Sequence, residues 1–326
     1  MQDILALAAE NLLSPMILCF ALGLFAALAR SELTVPEAAA KALSIYLLFA
    51  IGFKGGVAVA DHGLDGRLAS ALLVGVLLSF GLPFVAFGLL RVLTRLSTTD
   101  AAAVAAHYGS ISIVTFVTAT SVLTSRGIPS EGYMVAVAAA MEAPAIISAL
   151  WLVTRGGGGA TRMDGDLWRE ILLNGSIVLL VGSFLIGMIT GQDGMARIES
   201  FVVSPFQGVL CLFLLDMGLV AGRGLRASRG VLSAGAVMFG ISMPLIGAIV
   251  GLAAGIILGL STGGVVLMMV LAASASYIAV PAAMRVALPE ANPTVYLTLS
   301  LGVTFPFNLT LGIPAYVALA EAVTGG

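Results

Sequence analysis

Two short tracts carry the polar chemistry of an otherwise apolar chain: Tyr108-Gly-Ser-Ile-Ser112 and Ala273-Ser-Ala-Ser-Tyr277. Each is a Ser-x-Ser island inside a long hydrophobic segment. Small hydroxyl residues beside glycine let a membrane helix unwind, provided the freed backbone groups face protein or a water-filled cavity. Freed carbonyls and hydroxyls suit a hard cation such as sodium, and half-helix N-termini suit a small anion through their N–H groups and dipole. Gly109, Ser110, Ser112, Ser274 and Ser276 are therefore the candidate anion-binding residues. Thr115 and Tyr277 stand beside them as candidate ion ligands. Serines in membrane helices also bond back to the preceding turn and merely bend the helix. Two matched tracts favour the binding reading, because paired interruptions are what a transport site requires.

Ionisable residues inside apolar spans are costly, so each is a functional candidate. Glu142, in Met141-Glu-Ala-Pro144, and Asp216, before Met217-Gly218, both fall mid-span and join the candidate ion ligands. Lys54 is placed to be either an interfacial anchor or part of a site. Asp100 is expected to cap the fourth span. Arg285 reads as an orienting charge, and His107 as a neutral imidazole between helices. The two cysteines, Cys19 and Cys211, lie in apolar segments and suggest neither a disulfide framework nor a zinc site.

These residues must be held by membrane helices. Apolar residues make up 60% of the chain, charged residues 10%, and the mean hydropathy is +1.10. Soluble domains sit nearer half apolar and a quarter charged, so the solvent here is lipid. The net charge of −2, without a basic run, argues against nucleic-acid binding. A helix needs about 20 apolar residues to cross the bilayer. Ten segments qualify, at residues 12–29, 39–58, 68–90, 100–123 and 133–153, then 167–190, 201–222, 231–258, 263–286 and 293–318. The N-terminus lacks the basic stretch of a signal peptide, so the first segment is expected to stay.

Landmarks recur at about half the chain length. Ser110 and Ser274 are 164 residues apart, Gly52 and Gly218 166, Pro83 and Pro244 161, and Pro144 and Pro306 162. Glu142 has Thr304 as its mate. The chain divides into a first five-span unit (1–155), a Gly-rich linker (156–166) and a second five-span unit (167–326). Eleven basic residues flank the loops after odd-numbered spans and three those after even-numbered spans. The odd loops are expected in the cytoplasm and both termini outside. Five spans per unit is an odd number, so the second unit enters from the opposite side and the repeat is inverted. The fold class is an all-α polytopic membrane protein: ten spans in a 5+5 inverted repeat, with the fourth and ninth interrupted.

At these residues the chain resembles the bacterial sodium-dependent bicarbonate transporter family, the SbtA-like permeases. The likeness runs through nearly all the chain. It is strongest at Tyr108-Gly-Ser-Ile-Ser-Ile-Val-Thr-Phe116, at Met141-Glu-Ala-Pro144, and from Gly263 through Ala272-Ala-Ser-Ala-Ser276, Pro281 and Arg285 to Pro289-Glu-Ala-Asn-Pro293. The resemblance implies core and gate domains, a homotrimer in the bacterial inner membrane, and elevator-like motion. It also implies bicarbonate import coupled to sodium, with a PII-like cytoplasmic regulator in some members. Two positions depart from the family. The second island of better-known members ends in an aspartate where this chain has Tyr277, and Val114 stands where a hydroxyl residue often occurs. The linker is also short for a docking loop.

Two other function classes stay open: a cation–proton exchanger on a related ten-helix plan, with Asp216 or Glu142 titrating, and a receptor that keeps a transporter fold without turnover. Paired interruptions favour transport over a receptor. No acidic pair lies within an interrupted span, which disfavours the exchanger. An enzyme is not expected, because no nucleophile–base–acid set or metal-ligand spacing is visible.

Overall fold

A computed structural model describes residues 13–62, 66–155, 175–227 and 233–325, with Arg169 and Leu173. The first twelve residues, the linker at 156–166 and the start of the sixth span lie outside them. The described residues form helices and no strand. In chain order these are α1 (Pro15–Leu28), α2 (Glu37–His62), α3 (Gly66–Leu93), α4 (Thr98–Gly109), α5 (Ile113–Ser125), α6 (Met134–Ala140), α7 (Pro144–Arg155), α8 (Gly175–Val202), α9 (Phe206–Ala227), α10 (Ala234–Ile257), α11 (Thr262–Ala273) and α12 (Ala279–Ala287). The last, α13, runs Pro293–Thr324.

Among the described residues, eight helical runs are long and apolar enough to cross a membrane, counting α4 with α5 and α6 with α7 as single runs; α1 and α11 are shorter apolar helices. The outer face is apolar: Leu73, Leu77, Ile189, Ile249 and Ile257 are all exposed, as lipid contact requires. Burial ranks the runs. The most apolar window of 98–125 is 100% buried, against 22% for α8. Residues 263–273 of α11 are likewise all buried. The two segments bearing the Ser-x-Ser tracts are thus the innermost helices, wrapped by the others.

α4 and α11 are each 12 residues long, about 18 Å of rise, roughly half the hydrocarbon thickness. Each begins at a serine cap, Ser97 or Ser261, whose hydroxyl accepts the N–H three residues on. Each ends at a serine in extended conformation: Ser110 (φ −86°, ψ 169°) and Ser274 (φ −92°, ψ 167°). Asp100 is therefore not the cap. It sits in the first turn, where it accepts the Ser97 hydroxyl at 2.8 Å and the backbone N–H of Asn292 at 2.8 Å, tying α4 to the start of α13. Glu131 performs the corresponding task for α11, accepting from Ser261 N at 2.7 Å and from the Ser261 hydroxyl at 2.9 Å.

The remaining helices pack in two groups. α1 lies along α9 and α2 along α8, while α3, α4, α7, α10, α11 and α13 share one another's faces. The α1–α9 and α2–α8 contacts are backbone-close. A Cβ on Gly23 would stand 2.0 Å from the Leu215 carbonyl oxygen, and one on Gly187 2.2 Å from that of Phe53. In lipid, helix association depends on such close packing at small residues. Gly23 and Gly187 are 164 residues apart, the spacing of the two serine caps.

Three interruptions were not legible as such. The fifth span stops at Ala140 and resumes at Pro144, leaving Met141, Glu142 and Ala143 in turns. Pro144 accounts for this, since it disfavours helix at the residue before it and gives no N–H to the ladder. α8 bends at Gly191 (φ 54°, ψ −148°), a conformation glycine alone adopts freely, and continues to Val202. α13 widens into π-helix over Thr298–Thr304 and Asn308–Gly312. Pro306 and Pro314 remove donors along this stretch, and single π turns concentrate at functional sites.

Candidate functional site

The two interruptions cross each other. Ser112 N–H donates to the Ser274 hydroxyl oxygen at 2.9 Å, and Ser276 N–H donates to the His107 carbonyl at 2.7 Å. Backbone N–H groups released at each break are thus taken up by the other tract, as buried backbone donors require. α5 opens at the crossing with Ser112 as its cap: the Ser112 oxygen accepts Thr115 N–H at 3.2 Å and the Thr115 hydroxyl at 2.9 Å. With both acceptor sites filled, Ser112 keeps its own O–H to donate. α12 starts at the same place. Its Pro281 lies in the first turn, where a missing N–H costs nothing.

Glu142 reaches the crossing from the turn between α6 and α7. The Ser110 hydroxyl donates to Glu142 Oε2 at 2.8 Å, and the residue is buried. Glu142, Ser112, Ser176, Ser276 and Tyr277 line a cavity of about 10 Å³, the room of a single water molecule. The Tyr277 hydroxyl is buried without a hydrogen-bond partner, while its ring packs edge-on against Phe305 at 5.3 Å. One carboxylate with several hydroxyls around so small a space is an oxygen donor set, the kind hard cations take.

The structure brings Gly109, Ser110, Ser112, Thr115, Glu142, Ser274, Ser276 and Tyr277 together in or beside this crossing. Gly109 acts through shape: a Cβ there would stand 2.3 Å from Pro83 Cγ, so α4 lies directly on α3. Asp216 is buried on α9, outside the residues that line the cavity. Lys54 places its ammonium 4.4 Å from the centre of the Phe206 ring, a cation–π contact. His107 donates from Nδ1 to the Ala103 carbonyl at 2.7 Å and stacks on Tyr296; its Nε2 is buried with no partner.

A second set of polar residues braces the crossing. Asn308, at the start of the second π stretch, donates to the Ala273 carbonyl that the end of α11 releases (2.9 Å), and Tyr316 holds Asn308 Oδ1 at 2.9 Å. Thr304 donates to the Gly240 carbonyl at 2.6 Å, so its contact with Tyr108 (2.6 Å) must have the tyrosine as donor. Ser79 donates to the Met141 carbonyl at 2.5 Å and fixes the turn that carries Glu142. Asn308 and Tyr316 were missed in the sequence, although an amide inside an apolar span is itself a signal.

A helical bundle whose innermost helices stop half-way and cross through their hydroxyls is built as a membrane transporter. The family follows from the sequence match: residues 15–321 fit the model of the Na+-dependent bicarbonate transporter superfamily, and the chain belongs to it. No curated protein matches this chain.

Proposed function

We propose that this chain is a secondary active transporter that imports bicarbonate, or a similar small anion, together with sodium across the bacterial inner membrane. The observation that carries the reading is the position of Glu142, hydrogen-bonded to Ser110 and lining the cavity between the crossed tracts. The family aspartate is missing at Tyr277, and Glu142 supplies a carboxylate in its place. Sodium sits on Glu142 with the hydroxyl oxygens of Ser276 and Tyr277, while Ser112, its acceptor sites filled, keeps its O–H for the anion. The cavity is far too small for bicarbonate beside the ion, so the anion enters as the tracts part. It then meets the first turns of α5 and α12 and the hydroxyls of Ser110, Ser112, Ser274 and Ser276. Neither turn needs an arginine, because helix N-termini stabilise one negative charge and the adjacent sodium adds to the effect.

In this reading the ten apolar helical runs form a 5+5 inverted repeat. α1, α2, α8 and α9 make the gate domain, and the other helices make the core that carries the site. The close glycine contacts of α1–α9 and α2–α8 support a stiff gate, and the core moves past it in an elevator-like manner. External termini follow from the basic excess beside the odd loops, and a homotrimer and a PII-like cytoplasmic regulator complete the proposal by analogy with the family. Asp216 lies on the gate side and is assigned no ion. Uptake of labelled bicarbonate by cells lacking their own bicarbonate importer tests the function. Uptake should rise with external sodium and collapse when a sodium ionophore removes the gradient; sodium-independent uptake at wild-type rates would contradict it.

A further inference from the structure

A cleft of about 340 Å³ opens between the last turns of α9 and the first turns of α13. Its walls are apolar, with Val220, Ala221 and Leu297 among them. Among the described residues, the one charged group in its lining is Arg223. That guanidinium is exposed and gives one bond to the Leu33 carbonyl at 3.2 Å, which leaves further N–H donors in its fork. Arg226 lies one turn on and caps the Ala27 carbonyl at 3.0 Å. No acidic residue lines the cleft among the described residues.

We propose that this cleft binds an anionic phospholipid, with an acyl chain between α9 and α13 and the phosphate on Arg223. Three features choose the occupant. The volume lies in the range of ligand cavities, and the apolar walls match a hydrocarbon chain. Arg223 stands near the end of α9, where a headgroup phosphate can meet it. Basic pockets between membrane helices recognise anionic headgroups in this way. A zwitterionic lipid would fill the same walls but would bring its own cation to Arg223. A soluble phosphate would use Arg223 and leave the walls bare. The proposal concerns binding alone and does not depend on the transport reading.

The test is native mass spectrometry of the full chain in detergent, titrated with dioleoyl phosphatidylglycerol and with dioleoyl phosphatidylcholine. Wild type is expected to retain one phosphatidylglycerol per chain, with a preference of about fivefold over phosphatidylcholine, as one basic contact gives. Arg223→Gln should erase the preference and Arg223→Lys should keep most of it. Ala227→Phe, which fills the cleft, should lower retention of both lipids, so the proposal stays testable if Arg223→Gln proves unstable. Equal retention of the two lipids by wild type, or an unchanged preference in Arg223→Gln, would overturn it. So would displacement of the lipid by glycerol phosphate at equal concentration, since the acyl chain would then contribute nothing.

Discussion

The Ser110 hydroxyl donates to Glu142 Oε2 at 2.8 Å, and this bond sets the first Ser-x-Ser tract apart from the second. The matching serine, Ser274, has no carboxylate to meet and donates back to the Leu271 carbonyl at 3.2 Å. The mate of Glu142 is Thr304, which serves as a brace between α10 and α4. One half of the crossing therefore carries charge and the other half carries only dipoles. A cation belongs on the Glu142 side. Glu142→Gln should raise the half-saturating sodium concentration for uptake at least about tenfold, equivalent to ~1.4 kcal/mol. Glu142→Asp should fall between the two. Unchanged sodium dependence in Glu142→Gln would remove Glu142 from the ion site.

Tyr277 allows a two-sided test. Its hydroxyl is buried beside the cavity and lacks a partner. Tyr277→Phe should weaken sodium dependence a few-fold while leaving the melting temperature in detergent nearly unchanged, because the ring keeps its packing on Phe305. Tyr277→Asp should tighten sodium binding by adding a second carboxylate. The same variant should lower stability by about 3 kcal/mol, since it removes a ring that packs on Phe305. Wild-type sodium dependence in both variants would show that position 277 takes no part.

Gly109 tests whether the first interruption depends on the close approach of α4 to α3. A side chain at this position would collide with Pro83 and stand 2.7 Å from the Ser79 carbonyl oxygen. Gly109→Ala should destabilise the protein by about 1–3 kcal/mol, the usual cost of overpacking, and reduce uptake. Gly88→Ala, on α3 with open space around it, is the control and should change neither thermal melting nor transport.

Much of this arrangement was legible in the sequence, because it is written in local chemistry. The Ser-x-Ser tracts, their spacing of 164 residues and the apolar runs depend only on residue type and order. The turn at Met141–Ala143 was signalled by Pro144, but a proline in a membrane span can kink it as easily as break it. The Ser110–Glu142 bond joins residues 32 apart, and the Tyr108–Thr304 contact residues 196 apart. No periodicity encodes such pairings, because they follow from how the helices pack. For the same reason Glu142 and Asp216 were equivalent as candidates in the sequence, whereas packing puts one at the cavity and the other on α9.

Native cysteines report on the proposed gate. Cys19 and Cys211 face each other between α1 and α9. If these helices move as one body, joining the thiols with a short bifunctional thiol reagent should leave bicarbonate uptake intact. Mass spectrometry would confirm the cross-link, and the Cys19→Ser variant would control for modification of Cys211 alone. Inhibition that requires the cross-link would show that α1 and α9 move relative to each other, against the proposed gate.

The central claim is that a sodium ion on Glu142 drives a small anion through the crossed tracts. The most direct measurement is uptake of labelled bicarbonate into proteoliposomes containing only this protein, with and without an inward sodium gradient. Wild type should accumulate bicarbonate above equilibrium only with the gradient. Ser112→Ala should reduce uptake, and Glu142→Gln should lose the response to sodium at low concentrations. Bicarbonate accumulation that ignores the gradient and is unaffected by both substitutions would contradict the account.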